Sequence, residues 1–296
     1  MAAEHTAVVV GQIGRDLVLR CAAVPDADGT APMTGWDELL GGKSANQAVG
    51  LRQLGVRVAL VGVVGADDIG AAILRQARAD GLDVDAVVRR GRTSLFVDIV
   101  EDGGTRRVLE GAPAESLLRP QDVRSAADTI AAAQVVVLQA QQPVDALLEA
   151  AGIARTQGAR VVLDGAVTGP DARELLSLVD AVRADAGEAA ALAGHPLPDR
   201  AAVEAAAVAL RAAGPGVVAF AVAGEGNVVA SANGTAFLPE LDADVVDVTG
   251  GGDSFVAGFV TALLHGADPV AAARAGSHAA AGTVTHAGGR PAFTER

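Results

Sequence analysis

The sequence contains no tyrosine, one tryptophan and one cysteine, and aromatic residues make up only 2% of it. So few rings leave almost no platform on which the bases of single-stranded nucleic acid could stack. The lone Cys21 cannot close an intrachain disulfide; it reads as a small packing residue and fits a reducing, cytoplasmic setting. The five histidines, His5, His195, His265, His278 and His286, lack metal-ligand spacing, which together with a single cysteine argues against a structural zinc site. Positive charge is also in short supply. Lys and Arg number 23 against 36 Asp and Glu, a net charge of −13 that repels nucleic acid and anionic lipid over most of the surface. No apolar run reaches the roughly 18 to 20 residues of a membrane span. The opening MAAEHTAVVVGQIG places acid before only three valines, unlike a secretory signal. These absences predict no nucleic-acid partner and no membrane partner, and any phosphate-bearing ligand has to find a local positive feature.

What the sequence does have is apolar mass. Half of its 296 residues are hydrophobic and 20% are charged, too apolar for a disordered chain. That length suits one large domain, spanning 1–296, with an appendage. Short valine runs alternate with longer alanine-rich segments, the pattern of strands and crossover helices in an α/β fold with a mostly parallel sheet. Strands are expected at 7–10, 56–64, 135–138, 160–163, 180–182 and 217–222, and helices at 45–54, 69–79, 143–157, 187–193, 200–212 and 254–264. Two stretches break the pattern. Residues 17–40 are turn-rich, and 94–109 alternate about an Asp102-Gly103-Gly104 turn, a strong hairpin signal. Both are expected to form a small β lid with an exposed edge that a second subunit could cover.

Two glycine-to-helix segments carry the chemistry. In Asp247-Val248-Thr249-Gly250-Gly251-Gly252-Asp253-Ser254-Phe255, glycines ahead of an apolar helix leave backbone N–H groups without intrahelical partners, and the helix dipole adds positive character. Asp253 would then be a carboxylate beside an anion nest, placed to accept a proton; a tight turn with Asp253 as N-cap is the competing reading. In Gly41-Gly42-Lys43-Ser44-Ala45-Asn46, Lys43 and Asn46 share one face of a first helical turn, with plain helix capping again the alternative. This is not a P-loop, because Asp37 stands where that motif requires its first glycine. Gly11-Gln12-Ile13-Gly14 breaks the dinucleotide-binding glycine order, whereas Asp16 is expected at the carboxyl end of the first strand, where open α/β sheets bind ligands.

GGKSANQAVGLRQLG and, some two hundred residues later, DVTGGGDSFVAGF resemble the two signatures of the ribokinase-like (PfkB) carbohydrate kinases, and the resemblance extends over essentially the whole chain, including the AAGTVTHAGGRP tail. It implies a three-layer α/β/α sandwich with a β-sheet lid and an ATP-dependent transfer of phosphoryl to a sugar hydroxyl, ribose or a related pentose or hexose foremost. Asp253 would be the base and the N–H groups of Gly250, Gly251 and Gly252 the anion hole. Asp16, Gly42, Lys43 and Asn46 would bind sugar hydroxyls. Asp247, with backbone oxygens near Thr249 and Gly288, would form a potassium site, Ala223, Gly224 and Gly226 a nucleotide loop, and His278 part of an adenine pocket. Homodimerisation through the lid belongs to the same resemblance.

The chain departs from the family pattern in places. The Asn-x-x-Glu motif linked to Mg²⁺ and phosphate reads Asp185-Ala186-Gly187-Glu188, Gln141 stands where ribokinases place a sugar-binding glutamate, and Ala221 and Ala223 replace the usual Thr and Gly of the nucleotide loop. A nucleoside kinase of the same family, a non-catalytic sugar-binding relative and, more remotely, a nicotinamide oxidoreductase are the alternatives.

Overall fold

Valine runs with no polar side can be buried only inside a sheet covered on both faces, and the chain builds its main body around such a sheet. The computed structural model describes residues 6–103, 105–286 and 288–293. In chain order, β1 (Thr6–Val10) is followed by β2 (Gly14–Cys21) and β3 (Met33–Gly41), then α1 (Lys43–Gln53), β4 (Arg57–Val64), α2 (Asp68–Ala79) and β5 (Val87–Arg89). The hairpin β6 (Ser94–Glu101) and β7 (Arg106–Gly111) precedes two short helices, α3 (Pro120–Ser125) and α4 (Ala127–Ala131). Alternation then resumes with β8 (Val135–Gln139), α5 (Val144–Thr156), β9 (Arg160–Asp164), α6 (Ala172–Leu178), β10 (Ala181–Ala184), α7 (Ala186–Ala193) and α8 (Arg200–Ala212). The chain continues through β11 (Val217–Val222), β12 (Gly226–Ser231), β13 (Gly234–Pro239), α9 (Gly251–Leu264) and α10 (Pro269–Thr283).

The nine-stranded sheet runs β13-β12-β11-β10-β9-β8-β1-β4-β5. Every pairing from β11 to β5 is parallel, and β12 and β13 add an antiparallel edge. Alternate residues of one strand feed opposite cores: Val8 and Val10 of β1 pack with α5 and α8, whereas Ala7 and Val9 pack with α1, α9 and α10. This is the expected three-layer α/β/α sandwich with its additional small sheet. Among the described residues no helix is long and apolar enough to cross a membrane.

The small sheet has the order β3-β2-β6-β7. Hairpins join β2 to β3 and β6 to β7, and β2 pairs with β6 in parallel. Gly104 of the expected hairpin turn lies outside the described residues. Asp16 does not end β1. The backbone leaves the large sheet at Gly11, and Asp16 lies within β2, opposite Leu39 and Phe96 of the small sheet, so the acid is brought to the strand ends by the lid. Unanticipated from the sequence are β5, β12, β13, α3, α4, α6 and α10. α10 is built of Ala, Gly and Ser and shows little periodicity because it needs none. It meets α9 at glycines, with Gly276 against the Phe255 carbonyl and Gly258 against that of Ala275.

A Cβ on Gly258 would stand 2.7 Å from the Ala275 carbonyl oxygen, which is backbone and cannot swing away. Gly258→Val is therefore expected to cost about 1–3 kcal/mol of unfolding free energy by overpacking, measured by urea denaturation.

Candidate active site

Most of the parallel strands end on one edge of the large sheet, and their last residues face the small sheet across a cleft. α1 starts there without a side-chain cap. Gly42 is its N-cap at φ +88°, and a Cβ on it would lie 2.8 Å from the Gln12 carbonyl oxygen. A Cβ on Gly41 would fall on the Asp16 carboxylate at 2.0 Å. The glycine pair thus lets the helix start pack directly on Asp16, whose carboxylate accepts the Gly42 N–H. Burial, reinforced by the charge of Asp98, pushes the Asp16 carboxyl up to about 7.

From α1, Lys43 Nζ donates to Glu188 Oε1 at 2.8 Å, and Asn46 Nδ2 donates to Asp253 Oδ2 at 3.2 Å. Gln47 Nε2 bridges two buried acids, Asp164 Oδ2 at 2.8 Å and Asp253 Oδ1 at 3.1 Å. Burial works against the Lys43 charge, but Asp164 and Glu188 outweigh it and hold the ammonium above its ordinary range.

α9 delivers Asp253. Its N-cap is Gly250 in the left-handed region at φ +72°, where a Cβ would overlap the Gly289 carbonyl oxygen. Asp253 lies inside the first turn, so the capping alternative is wrong for it: its carboxylate is turned to Asn46 and Gln47. Burial, aided by the nearby Asp164 charge and opposed by Lys43, Asn46 and Gln47, raises its pKa to about 7. Of the three N–H groups expected to form an anion hole, that of Gly251 donates to the Val248 carbonyl at 3.3 Å; Gly250 and Gly252 border the lid-side cleft, and Gly251 lines the second cavity.

Two cavities open here. One, of about 390 Å³, lies under the small sheet and gathers Asp16, Gly42, Lys43, Asn46, Gln141 and Asp253, together with Thr249. The lid adds Phe96, Asp98, Arg106 and Glu110, none of which the sequence patterns singled out. Arg106 Nε donates to Asp98 Oδ1 at 2.8 Å. The other, of about 370 Å³, is lined by Ala223, Gly224 and Gly226 with apolar side chains from Val245, Phe255 and Val284. Arg183, Asp185, Val248 and Gly252 border both.

Asp185 caps α7 by accepting the Glu188 N–H at 2.8 Å, and Glu188 Oε2 accepts the Asp185 N–H in return at 2.9 Å. His278 is not brought to the second cavity. α10 presents Ser277, Ala280, Ala281 and Val284 there, and a residue one step on from Ser277 is rotated by about 100° to the exposed side. Asp247 is buried and accepts hydrogen bonds from the N–H groups of Thr249 and Gly288, each at 2.9 Å. Burial would raise its pKa, but these donors and the Thr249 hydroxyl win and hold it low. Sequence reasoning also missed Gln47, Asp164 and Arg183. Gln47 stood inside a quoted motif, Asp164 ends β9, and Arg183 is the penultimate residue of β10.

Comparison with known proteins agrees with this geometry. The model of the pfkB family carbohydrate kinases matches residues 4–296. A ribokinase of Haemophilus influenzae is 29% identical over 99% of this chain and 96% of its own length. An ATP-dependent ribose-1-phosphate kinase of Halopiger xanaduensis is 31% identical over 87% of this chain and 84% of its own. Among solved structures, Arabidopsis thaliana ribokinase in complex with ribose and ATP superposes with a TM-score of 0.79 at 24% identity, covering 96% of this chain and 94% of that one. With a family match that runs almost from end to end over a fold and a two-cavity cleft of this kind, the chain belongs to the pfkB family of carbohydrate kinases.

Proposed function

We propose that the cavity under the lid takes a neutral sugar, a pentose such as ribose or a related hexose, that the second cavity takes ATP, and that Asp253 removes the proton from the accepting hydroxyl. The observation that carries this reading is the placement of Asp253. Its buried carboxylate lies in the lid-side cavity, one residue after Gly252, which borders both. A hydroxyl held there by Asp16, Lys43 and Asn46 has an acceptor for its proton on one side and a phosphoryl donor on the other. Removal of water by the lid protects ATP from hydrolysis.

Charge argues for an uncharged acceptor. Asp16, Asp98 and Glu110 face the lid-side cavity, and Arg106, the lid cation that lines it among the described residues, is already paired with Asp98. A sugar acid or sugar phosphate would meet carboxylates there. Phe96 is the one aromatic ring among the described residues of this cavity, a poor setting for the base of a nucleoside.

The residues fit the ions that the family implies. Asp185 brings a hard carboxylate to the border of the second cavity, the donor type that Mg²⁺ takes alongside phosphates and water, while Glu188 behind it is held by Lys43 and the Asp185 N–H. When bound, Mg²⁺ offsets phosphate charge. Asp247, kept ionised by Thr249 and Gly288, suits a monovalent cation such as K⁺ in the same way.

The outer face of the small sheet supports a homodimer. Leu17, Val97 and Leu109 stand in register across three strands, as do Trp36, Leu19 and Ile99, and Trp36 and Leu109 are 61% and 62% exposed. That face combines these apolar side chains with the ion pairs of Arg15 with Glu38 and of Arg107 with Glu101, while the opposite face, with Asp16 and Asp98, lines the lid-side cavity.

Turnover with MgATP against a panel of sugars, sugar acids and nucleosides tests the reading. Asp253→Asn should lower kcat by ~10²- to 10⁴-fold while the variant stays folded. Above pH 7 the native carboxyl is an ionised buried group that disfavours folding, so the variant should melt no lower than wild type at pH 8. Because the base must be ionised, kcat/KM of the wild type should climb with pH up to about 7 and level off above it; a flat profile from pH 5 to 8 contradicts the assignment. The same assay in K⁺ should run faster than in tetramethylammonium. Light scattering should find a dimer that Trp36→Asp converts to monomer.

A further inference from the structure

Arg183 belongs to none of the motifs. It is the third residue of β10, and its side chain is only 12% exposed. Nη1 donates to Asp164 Oδ1 at 3.1 Å, and the buried Nε has no acceptor. A guanidinium has five N–H donors, so one carboxylate oxygen leaves most of its capacity unused. The group faces the helix start that carries Asp253: a Cβ placed on Gly252 would lie 2.7 Å from both Nη1 and Nη2. It borders the sugar-side and the nucleotide-side cavity alike. Lys43, a half-buried cation of the cleft, is engaged by Glu188.

Burying a cation this deeply is costly unless something uses it. Asp164 answers the charge but takes it from the side away from the cavities, and it also accepts from Gln47, which in turn holds Asp253. The carboxylate thereby fixes base and guanidinium in one frame.

We propose that Arg183 is a catalytic residue that donates hydrogen bonds from its free N–H groups to the oxygens of the phosphoryl group while that group passes between the two cavities, an inference that rests on the ATP-dependent reading above. In that step the sugar oxygen forms a bond to the γ-phosphorus and its proton goes to Asp253. The bond from the γ-phosphorus to the bridging oxygen breaks, and its electron pair leaves with ADP. Charge spreads over the equatorial oxygens during transfer. A planar fork fixed against the Gly252 backbone matches two such oxygens at once and complements the N–H groups of α9. Lysine is a poor substitute, since it offers a point charge on a flexible stem.

The test uses Arg183→Met and Arg183→Lys in the full chain. With sugar and MgATP, Arg183→Met should lose roughly 10²- to 10³-fold in kcat, the scale for a preorganised donor to a developing anion, with both KM values within a few-fold of wild type. A structural role alone would not move a second readout, the affinity for ADP with Mg²⁺ and aluminium fluoride, a mimic of the phosphoryl group in flight. Wild type should bind this mixture far more tightly than ADP with Mg²⁺, and Arg183→Met should keep the ADP affinity and lose the difference. Millimolar guanidinium should restore part of the rate to Arg183→Ala. If removing the partner of Asp164 prevents folding, Arg183→Lys decides, with at least a tenfold loss expected. Full activity in the lysine variant, or undiminished tight binding of the mimic by Arg183→Met, overturns the assignment and leaves the kinase reading in place. A wild-type protein that binds no adenine nucleotide overturns both.

Discussion

A carboxylate with almost no water around it has to be held by something, and in this chain the holding of Asp253 organises the cleft. Asn46 and Gln47 come from α1, Asp253 from α9, Asp164 from the end of β9 and Arg183 from β10, and hydrogen bonds of 2.8 to 3.2 Å join them into one connected set. A charge placed in a low-dielectric interior is unfavourable alone and acceptable within such a set. The set therefore constrains four elements at once: the starts of two helices and the ends of two strands must meet at this point. Gly252 is a direct consequence of that meeting, since a Cβ there would collide with the Arg183 guanidinium, and Gly41, Gly42 and Gly250 serve the same two helix starts, where Asp16 and the Gln12 and Gly289 carbonyls come too close for a side chain.

The same arrangement separates tasks that would interfere if mixed. The polar cavity beneath the small sheet is rich in acids, whereas the second cavity is mainly apolar on its far side, with Val245, Phe255 and Val284. An anionic nucleotide tail would be unwelcome among Asp16, Asp98 and Glu110, and a sugar would find few partners among valines. Between them the helix start and Arg183 supply the positive character that the chain, at a net charge of −13, lacks elsewhere.

The fold was legible because parallel strands are buried on both faces and so announce themselves as short valine runs; β11 was placed to the residue, and β1, β4, β8 and β9 within a residue or two. Of the lid, the β6–β7 hairpin was legible from its alternation, whereas β3 hid behind a mixed face. In β3, MTGWDELLG is exposed over most of its length and shows no alternation that burial would impose. The meeting of Lys43, Asn46 and Asp253 in one cleft was legible where glycine spacing and polar side chains coincide. The site was not legible where a residue acts through the fold alone. Asp164 is the terminal residue of a valine strand, and Arg183 stands in a short strand between alanines. Only the superposition of strand ends, which no local pattern encodes, brings them to Asp253. Asp16 shows the mixed case, since its place in the cleft could be anticipated but not that a strand of the lid would carry it there.

β3 ends at Gly41 and α1 begins at Lys43, so a single residue, Gly42, separates the lid from the helix that holds the sugar-side donors. A cover joined to its contents through one pivot cannot open without disturbing them. Any swing of the small sheet turns the same backbone on which Lys43 and Asn46 are mounted, and any ligand gripping those two side chains resists that swing. A molecule held by both side chains would thus act as a latch on the cover, because the grip on it and the angle of the small sheet pass through the same residue.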